Sequence, residues 1–207
     1  YGYIRIRYDA TLKNLGIFSL LVGLQILRGH PQIAYYTWLM LGICFLIDLF
    51  YMIIRKQKNI RWIVFTLSGL CLGILSSLSV YIPSLSYLSY STRSSGVGGG
   101  MGFEKATEYS FSLGEISTFF IPSFYGFGSN AYWGSMTFTD FPNYMGIVIL
   151  LLAFYGIIRY KWTRFKIFCI ISAILFIMLS FGGSFYKFFY NNFFYFDKFR
   201  NPMYLLI

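Results

Sequence analysis

Five apolar runs, each close to the length of a bilayer-crossing helix, constrain this 207-residue chain more than any other feature. A helix that crosses the hydrocarbon layer must advance about 30 Å, which takes roughly 20 residues. The runs fall near 12–28, 33–54, 62–82, 143–158 and 164–181, and a sixth opens at about Asn201 and is cut off at Ile207. At 57% hydrophobic and 12% charged residues, the chain carries more apolar surface than one soluble core hides, so lipid must cover part of it. The expected fold is all-α: one polytopic transmembrane helical bundle over 1–207, with about five complete spans plus the start of a sixth. A long extracytoplasmic loop, 83–142, would carry short interfacial helices. The first residue is Tyr1 rather than Met and the last lies mid-span, so an internal piece of a longer polytopic protein is expected.

Charge sets the expected orientation, because cytoplasmic loops keep Lys and Arg close to span ends. Arg5, Arg7 and Lys13 precede the first run, Arg55, Lys56, Lys58 and Arg61 join the second to the third, and Arg159, Lys161, Arg164 and Lys166 join the fourth to the fifth. Eleven of the seventeen basic residues therefore fall on one face, the cytoplasmic one. The turn Arg28–Gln32, the loop 83–142 and the loop Gly182–Lys198 then lie outside, in a multi-pass membrane protein. These juxtamembrane clusters account for the net charge of +10 and favour anionic lipid headgroups, so membrane lipid is an expected partner and nucleic acid is not. Cys44, Cys71 and Cys169 all fall inside apolar runs without close spacing, as small buried residues do, with no disulfide framework or zinc site.

Four of the seven acidic residues, Glu104, Glu108, Glu115 and Asp140, sit in the polar, aromatic-rich loop. The glycine-rich stretch Ser94–Gly102 has the composition of a mobile flap, and no Gly-Lys-Ser/Thr comes after it to make it a phosphate loop. Ser112-Leu113-Gly114-Glu115 has the form of a capping box, starting a short helix from about Leu113 to Ile121 that Pro122 stops. Its Ile116, Phe119 and Phe120 would press into the interface or the neighbouring spans. Were that helix to extend back to Glu104, then Glu104, Glu108 and Glu115 would lie within roughly 40° of one another around it. Glu115 is thus either a cap or a ligand or base. Asp140, in Phe138-Thr139-Asp140-Phe141-Pro142, is either loop structure or a catalytic or substrate-contacting carboxylate. Ring faces such as Tyr132 and Trp133 beside a carboxylate at a lipid-water boundary suit a sugar on a lipid carrier: rings stack on the sugar's apolar face and a carboxylate accepts a proton from the attacking hydroxyl.

Two polar residues stand elsewhere. His30, the only histidine, lies in Arg28-Gly29-His30-Pro31-Gln32, where it either bonds a phosphate or fixes the turn. Asp48 lies inside the second run, where an ionisable group must face protein or water, as a buried hydrogen-bonding group or a transporter's proton relay.

The succession Leu24-Gln25-Ile26-Leu27-Arg28-Gly29-His30-Pro31-Gln32 with Tyr35-Tyr36, Glu108-Tyr109-Ser110 and Glu115, Ile121-Pro122-Ser123-Phe124-Tyr125-Gly126, Tyr132-Trp133-Gly134 with Phe138-Thr139, Tyr144-Met145-Gly146 and Phe199-Arg200-Asn201-Pro202 resembles the bacterial YfhO family of polytopic membrane proteins, which implies a multi-pass protein of a bacterial cytoplasmic (inner) membrane. The resemblance implies a GT-C type glycosyltransferase that takes a sugar from a polyprenyl-phosphate donor on the outer face and transfers it to a cell-envelope acceptor. It also implies that the usual catalytic carboxylate belongs to a first outer loop that precedes this piece. Two positions depart from the family pattern: Asp140, where many relatives have Glu, and the glycines around Gly98, where an Arg-Gly pair is common beside Arg93. On this basis Glu108, Glu115 and Asp140 are the candidate catalytic acids. Arg200, His30 and Arg93 are the candidates for the phosphate, with Gln32 beside them in the substrate-binding set, and Tyr132 and Trp133 would hold sugar or lipid. The sequence names no cofactor with certainty, and a divalent metal is open: Glu115 and Asp140 could share one if folding brought them together. The competing classes are a transporter or flippase and a non-catalytic assembly protein.

Overall fold

A computed structural model describes residues 1–88, 90, 102–128, 131–135, 144–193 and 196–199. The expectations placed on Arg93, the glycine-rich stretch 94–101, Asp140, Arg200 and the sixth run at 201–207 lie outside the described residues. Among those described, all regular structure is helical. The chain divides into two compact units, Tyr1–Ser91 and Thr92–Ile207.

The first unit holds α1 (Gly2–Tyr8), α2 (Leu12–Leu27), α3 (Pro31–Ile54) and α4 (Arg61–Leu88). Local chemistry sets their ends. Thr11 caps α2 by accepting from the Asn14 N–H at 3.4 Å, Gly29 turns the chain at a φ of 73° after α2, and Pro31 opens α3, where its missing N–H costs nothing. The helices follow the apolar runs closely, although α4 continues through Pro83, beyond the expected end at 82.

Length divides the helices into two groups. α3 and the Arg61–Pro83 part of α4 are long and apolar enough to cross a membrane. At 16 residues, α2 advances only about 24 Å. In the second unit the polar segment carries α5 (Phe103–Ala106) and a 3₁₀ turn, Gly114–Phe119. After it come α6 (Ile147–Arg159), 13 residues long, and α7 (Arg164–Ser180), which meets α8 (Ser184–Asn192) at a bend of 96°. The described residues thus contain two candidate spans, or three if the bent pair counts as one.

α2 and α4 pack through small residues. A Cβ added at Gly69 would stand 2.6 Å from the Phe18 ring, and one at Gly73 would stand 2.6 Å from the Val22 side chain and 2.8 Å from the Ser19 carbonyl oxygen. Missing side chains here let the two backbones approach, the usual device of membrane helix pairs. Gly73→Ala is therefore expected to loosen the pair at a cost of about 1–3 kcal/mol, read as a lower unfolding midpoint in detergent. Gly42→Ala, on a helix position with open space around it, provides the neutral control.

The short α1 closes this unit. Tyr3 and Ile6 join Phe18, Val22, Ile26, Met52 and Trp62 in one buried cluster. Asp48 also goes here: its carboxylate accepts from the Tyr3 hydroxyl at 2.8 Å and lies 3.5 Å from Arg7 Nε. The Arg7 guanidinium in turn sits over the Trp62 ring, 4.8 Å from its centre. Asp48 is six residues, about 9 Å, short of the end of α3, at the end where the basic clusters gather.

In the second unit the Phe111 N–H donates to the Ser180 carbonyl at 2.8 Å, which pins the polar segment to the end of α7. Gly182, at a φ of 63°, makes the corner into α8, and a Cβ there would collide with Ser110. α8 lies within the stretch expected as an outer loop, and its Tyr186 and Phe189 pack on Phe196 of a final 3₁₀ turn, Phe196–Lys198.

Candidate functional site

The polar segment closes around Glu115. The Ser112–Glu115 capping box forms as its sequence specifies: the Ser112 N–H donates to Glu115 Oε2 at 2.7 Å, and the Glu115 N–H reaches the Ser112 hydroxyl at 3.4 Å. The box opens a short 3₁₀ turn rather than an α-helix, with Phe119 and Phe111 stacked 5.2 Å apart beneath it. Ile116 and Phe119 therefore serve the unit's own core, and Phe120 alone of the expected trio faces outward at 48% exposed.

Glu115 does more than cap. Its side chain is completely buried, and residues 17 and 20 positions later reach back to it: the Tyr132 hydroxyl donates to Oε1, and the Ser135 hydroxyl to Oε2 at 3.1 Å. Burial, then the hydrogen bond to Glu115 and its charge, then Tyr125, push the Tyr132 phenol above its ordinary range and hold it as a donor. Gly134 is required by this closure, since a Cβ would stand 2.6 Å from both Glu115 Oε1 and the Tyr132 ring. The turn that brings Tyr132 back depends on Gly126, whose φ of 83° and contact with the Ala131 carbonyl leave no room for a side chain.

Over this base lies an aromatic platform. Trp133 is 67% exposed, its ring 4.5 Å from that of Tyr125 and 6.3 Å from that of Phe124. The backbone fixes it, because the Trp133 N–H donates to the Tyr125 carbonyl at 2.9 Å. A rigid indole face open to solvent is suited to stacking on an apolar ligand face.

The other acids are placed differently. The chain turns at Thr107–Tyr109 after α5, so Glu104, Glu108 and Glu115 do not share one helix face. Glu104 and Glu108 are both exposed and, with Gly102 and Lys105, line an open depression of about 480 Å³. Among the described residues no group of three or more His, Cys, Asp or Glu side chains is arranged to hold a metal.

His30 and Gln32 belong to the first unit. His30 is exposed at the start of α3 and makes no side-chain cap there, whereas Gln32 is buried and donates to the Tyr36 hydroxyl at 2.8 Å. Sequence reasoning missed Ser135, Gly134 and Tyr125 as parts of the Glu115 site. The clustering of Tyr132-Trp133-Gly134-Ser135 is a visible signal, but only the turn at Gly126 makes it face Glu115. Compared with protein-family models, curated proteins and solved structures, the chain finds no match.

Proposed function

We propose that this chain is part of a membrane glycosyltransferase that transfers a sugar from a polyprenyl-phosphate donor to a cell-envelope glycan or lipid on the outer face. The observation that carries this is the exposed Trp133–Tyr125 platform, fixed to a buried carboxylate, on a polar segment pinned to the end of an apolar helix. It supplies a stacking surface for a sugar at the depth where a lipid-linked donor presents one. In this proposal five runs cross the membrane and a sixth begins near Asn201. α2 and α6 are short for the hydrocarbon layer, a mismatch that local thinning and snorkelling basic residues absorb at fractions of a kcal/mol per Å.

The acids then divide their roles by exposure. Glu115, buried and already accepting from Ser112, Tyr132 and Ser135, acts as a positioning residue for the platform. Glu108, on the open depression, is the carboxylate available to take the acceptor's proton, and Asp140, outside the described residues, is the second candidate from the sequence. Arg200, Arg93 and His30 are the candidates to neutralise the departing phosphate.

Membranes containing the full-length parent, supplied with radiolabelled polyprenyl-phosphate sugars, test this directly. Trp133→Ala is expected to raise KM about tenfold, as the loss of one stacked ring would, with kcat changed less. Glu108→Gln or Asp140→Asn is expected to lower kcat about 10²-fold or more if that residue is the base. Transfer unaffected by all three would move the chemistry out of this segment. The alternative, a transporter or flippase, draws on Asp48, an ionisable residue within an apolar run and paired with Arg7. Absence of transfer from every donor, with movement of a lipid-linked sugar across vesicles, would favour it.

A further inference from the structure

The exposed apolar side chains of the polar segment extend beyond the Trp133–Tyr125–Phe124 platform. Phe120, Ile121, Phe124, Phe127 and Trp133 are each between 42% and 67% exposed. They lie on one hydrogen-bonded turn: the Ile121 N–H donates to the Ser117 carbonyl, that of Gly126 to Ser123, and that of Trp133 to Tyr125. No charged residue stands anywhere between Glu115 and Asp140 in a chain of net charge +10. A water-facing turn of this length ordinarily carries charge, and exposed apolar patches of this kind mark a covered surface.

The covering is indicated by what the turn is attached to. The Met145 N–H donates to the Phe119 carbonyl at 3.3 Å, and α6 starts two residues later. α6 is apolar along its length and buries none of its residues within the protein, so lipid is the medium that suits it. The turn that carries the exposed rings is thus tied to the start of α6, and Leu150 of α6 packs on the Phe111–Phe119 pair beneath it. Phe and Trp, rather than a run of aliphatics, are the residues that sit at headgroup level.

We propose that the turn Phe120–Trp133 is a membrane-docking surface whose rings insert into the interfacial layer of the bilayer that holds α6. The occupant of this surface is lipid. The platform beside Glu115 then opens towards the headgroups rather than towards bulk water, and a ligand tethered to an acyl chain reaches it by lateral diffusion. Lipid insertion rests only on the membrane reading of the helices and holds whether or not the protein transfers sugar.

Tryptophan fluorescence of the full chain in nanodiscs tests it. The Trp133 contribution is isolated by subtracting the spectrum of Trp133→Phe, and is measured with bromine-substituted acyl chains in the lipid and, separately, with aqueous iodide. The expected result is at least a twofold loss of Trp133 emission with brominated lipid and less than a quarter of that loss with iodide. A Phe127→Trp, Trp133→Phe double variant, placing the only new indole across the turn, is expected to behave alike. Quenching by iodide and not by brominated lipid would overturn the proposal, and so would quenching by neither, which would mean that protein covers the rings.

Discussion

Glu115→Ala is expected to destabilise the polar segment by about 3–5 kcal/mol, because three donors lose their buried acceptor at once. The carboxylate is fully buried and accepts from a backbone N–H and two hydroxyls, one of them 17 residues away and the other 20. Hydrogen bonds to a charged group contribute roughly 1.5–3 kcal/mol each, and truncation also strands their donors. Glu115→Gln should cost far less, about 1 kcal/mol, because the amide oxygen can keep the Ser112 N–H while the Tyr132 hydroxyl turns to accept from the amide nitrogen. Hydrogen exchange of residues 112–119 and 131–135 is the direct measurement. Alanine should accelerate both stretches together, glutamine neither, and α3 and α4 should be indifferent to both changes. Unchanged exchange in the alanine variant would mean that the carboxylate does not hold the two stretches together.

The second large effect is expected at the α1 clamp. Arg7→Ala removes the counter-charge of Asp48, whose residue is 8% exposed, and removes the cation from the Trp62 ring. Stranding a fully buried carboxylate costs about 3–5 kcal/mol; with the two side chains still 17% and 12% exposed, roughly 2–4 is the expectation here. The decisive comparison is the double variant Arg7→Ala, Asp48→Asn. A neutral amide needs no counter-charge and its oxygen still accepts from the Tyr3 hydroxyl, so the second change should recover part of the lost stability. Unfolding midpoints in detergent give the cycle. If the double variant were no more stable than Arg7→Ala, charge compensation would not be what joins α1 to α3.

How much of this is legible in the sequence depends on how local each feature is. α2 and α3 follow the apolar runs to within a few residues because hydropathy and the caps at Thr11 and Pro31 are contiguous signals, whereas α1 lies outside every run and α4 overruns its own by six residues. The Ser112–Glu115 box is legible for the same reason, since its two partners are three residues apart. The other half of the Glu115 site is not, because Tyr132 and Ser135 arrive through a turn that depends on Gly126. Asp48 is recognisable as a residue needing a partner, yet Tyr3 and Arg7 are more than forty residues away. Run length is the weaker guide to crossing. The run near 143–158 becomes a 13-residue helix because Gly146, at a φ of 90°, lies outside helical geometry and fixes its start. The stretch after 181 reads as loop because its polar and aromatic residues alternate irregularly, but Ser184–Asn192 turns them into a helix with Tyr186 and Phe189 on its buried side.

The hydrogen bond from Phe111 to Ser180 gives the second unit a mechanical property. Phe111 stacks on Phe119, which closes the turn carrying Glu115, so the end of α7 and the base of the aromatic platform are joined through one bond and one ring pair. Where the bent pair α7–α8 is counted as one span, its tilt answers to hydrocarbon thickness. In that reading a bilayer that reorients the helix pulls on the Phe111–Phe119 pair beneath the platform, and acyl-chain length becomes a variable of the platform's base.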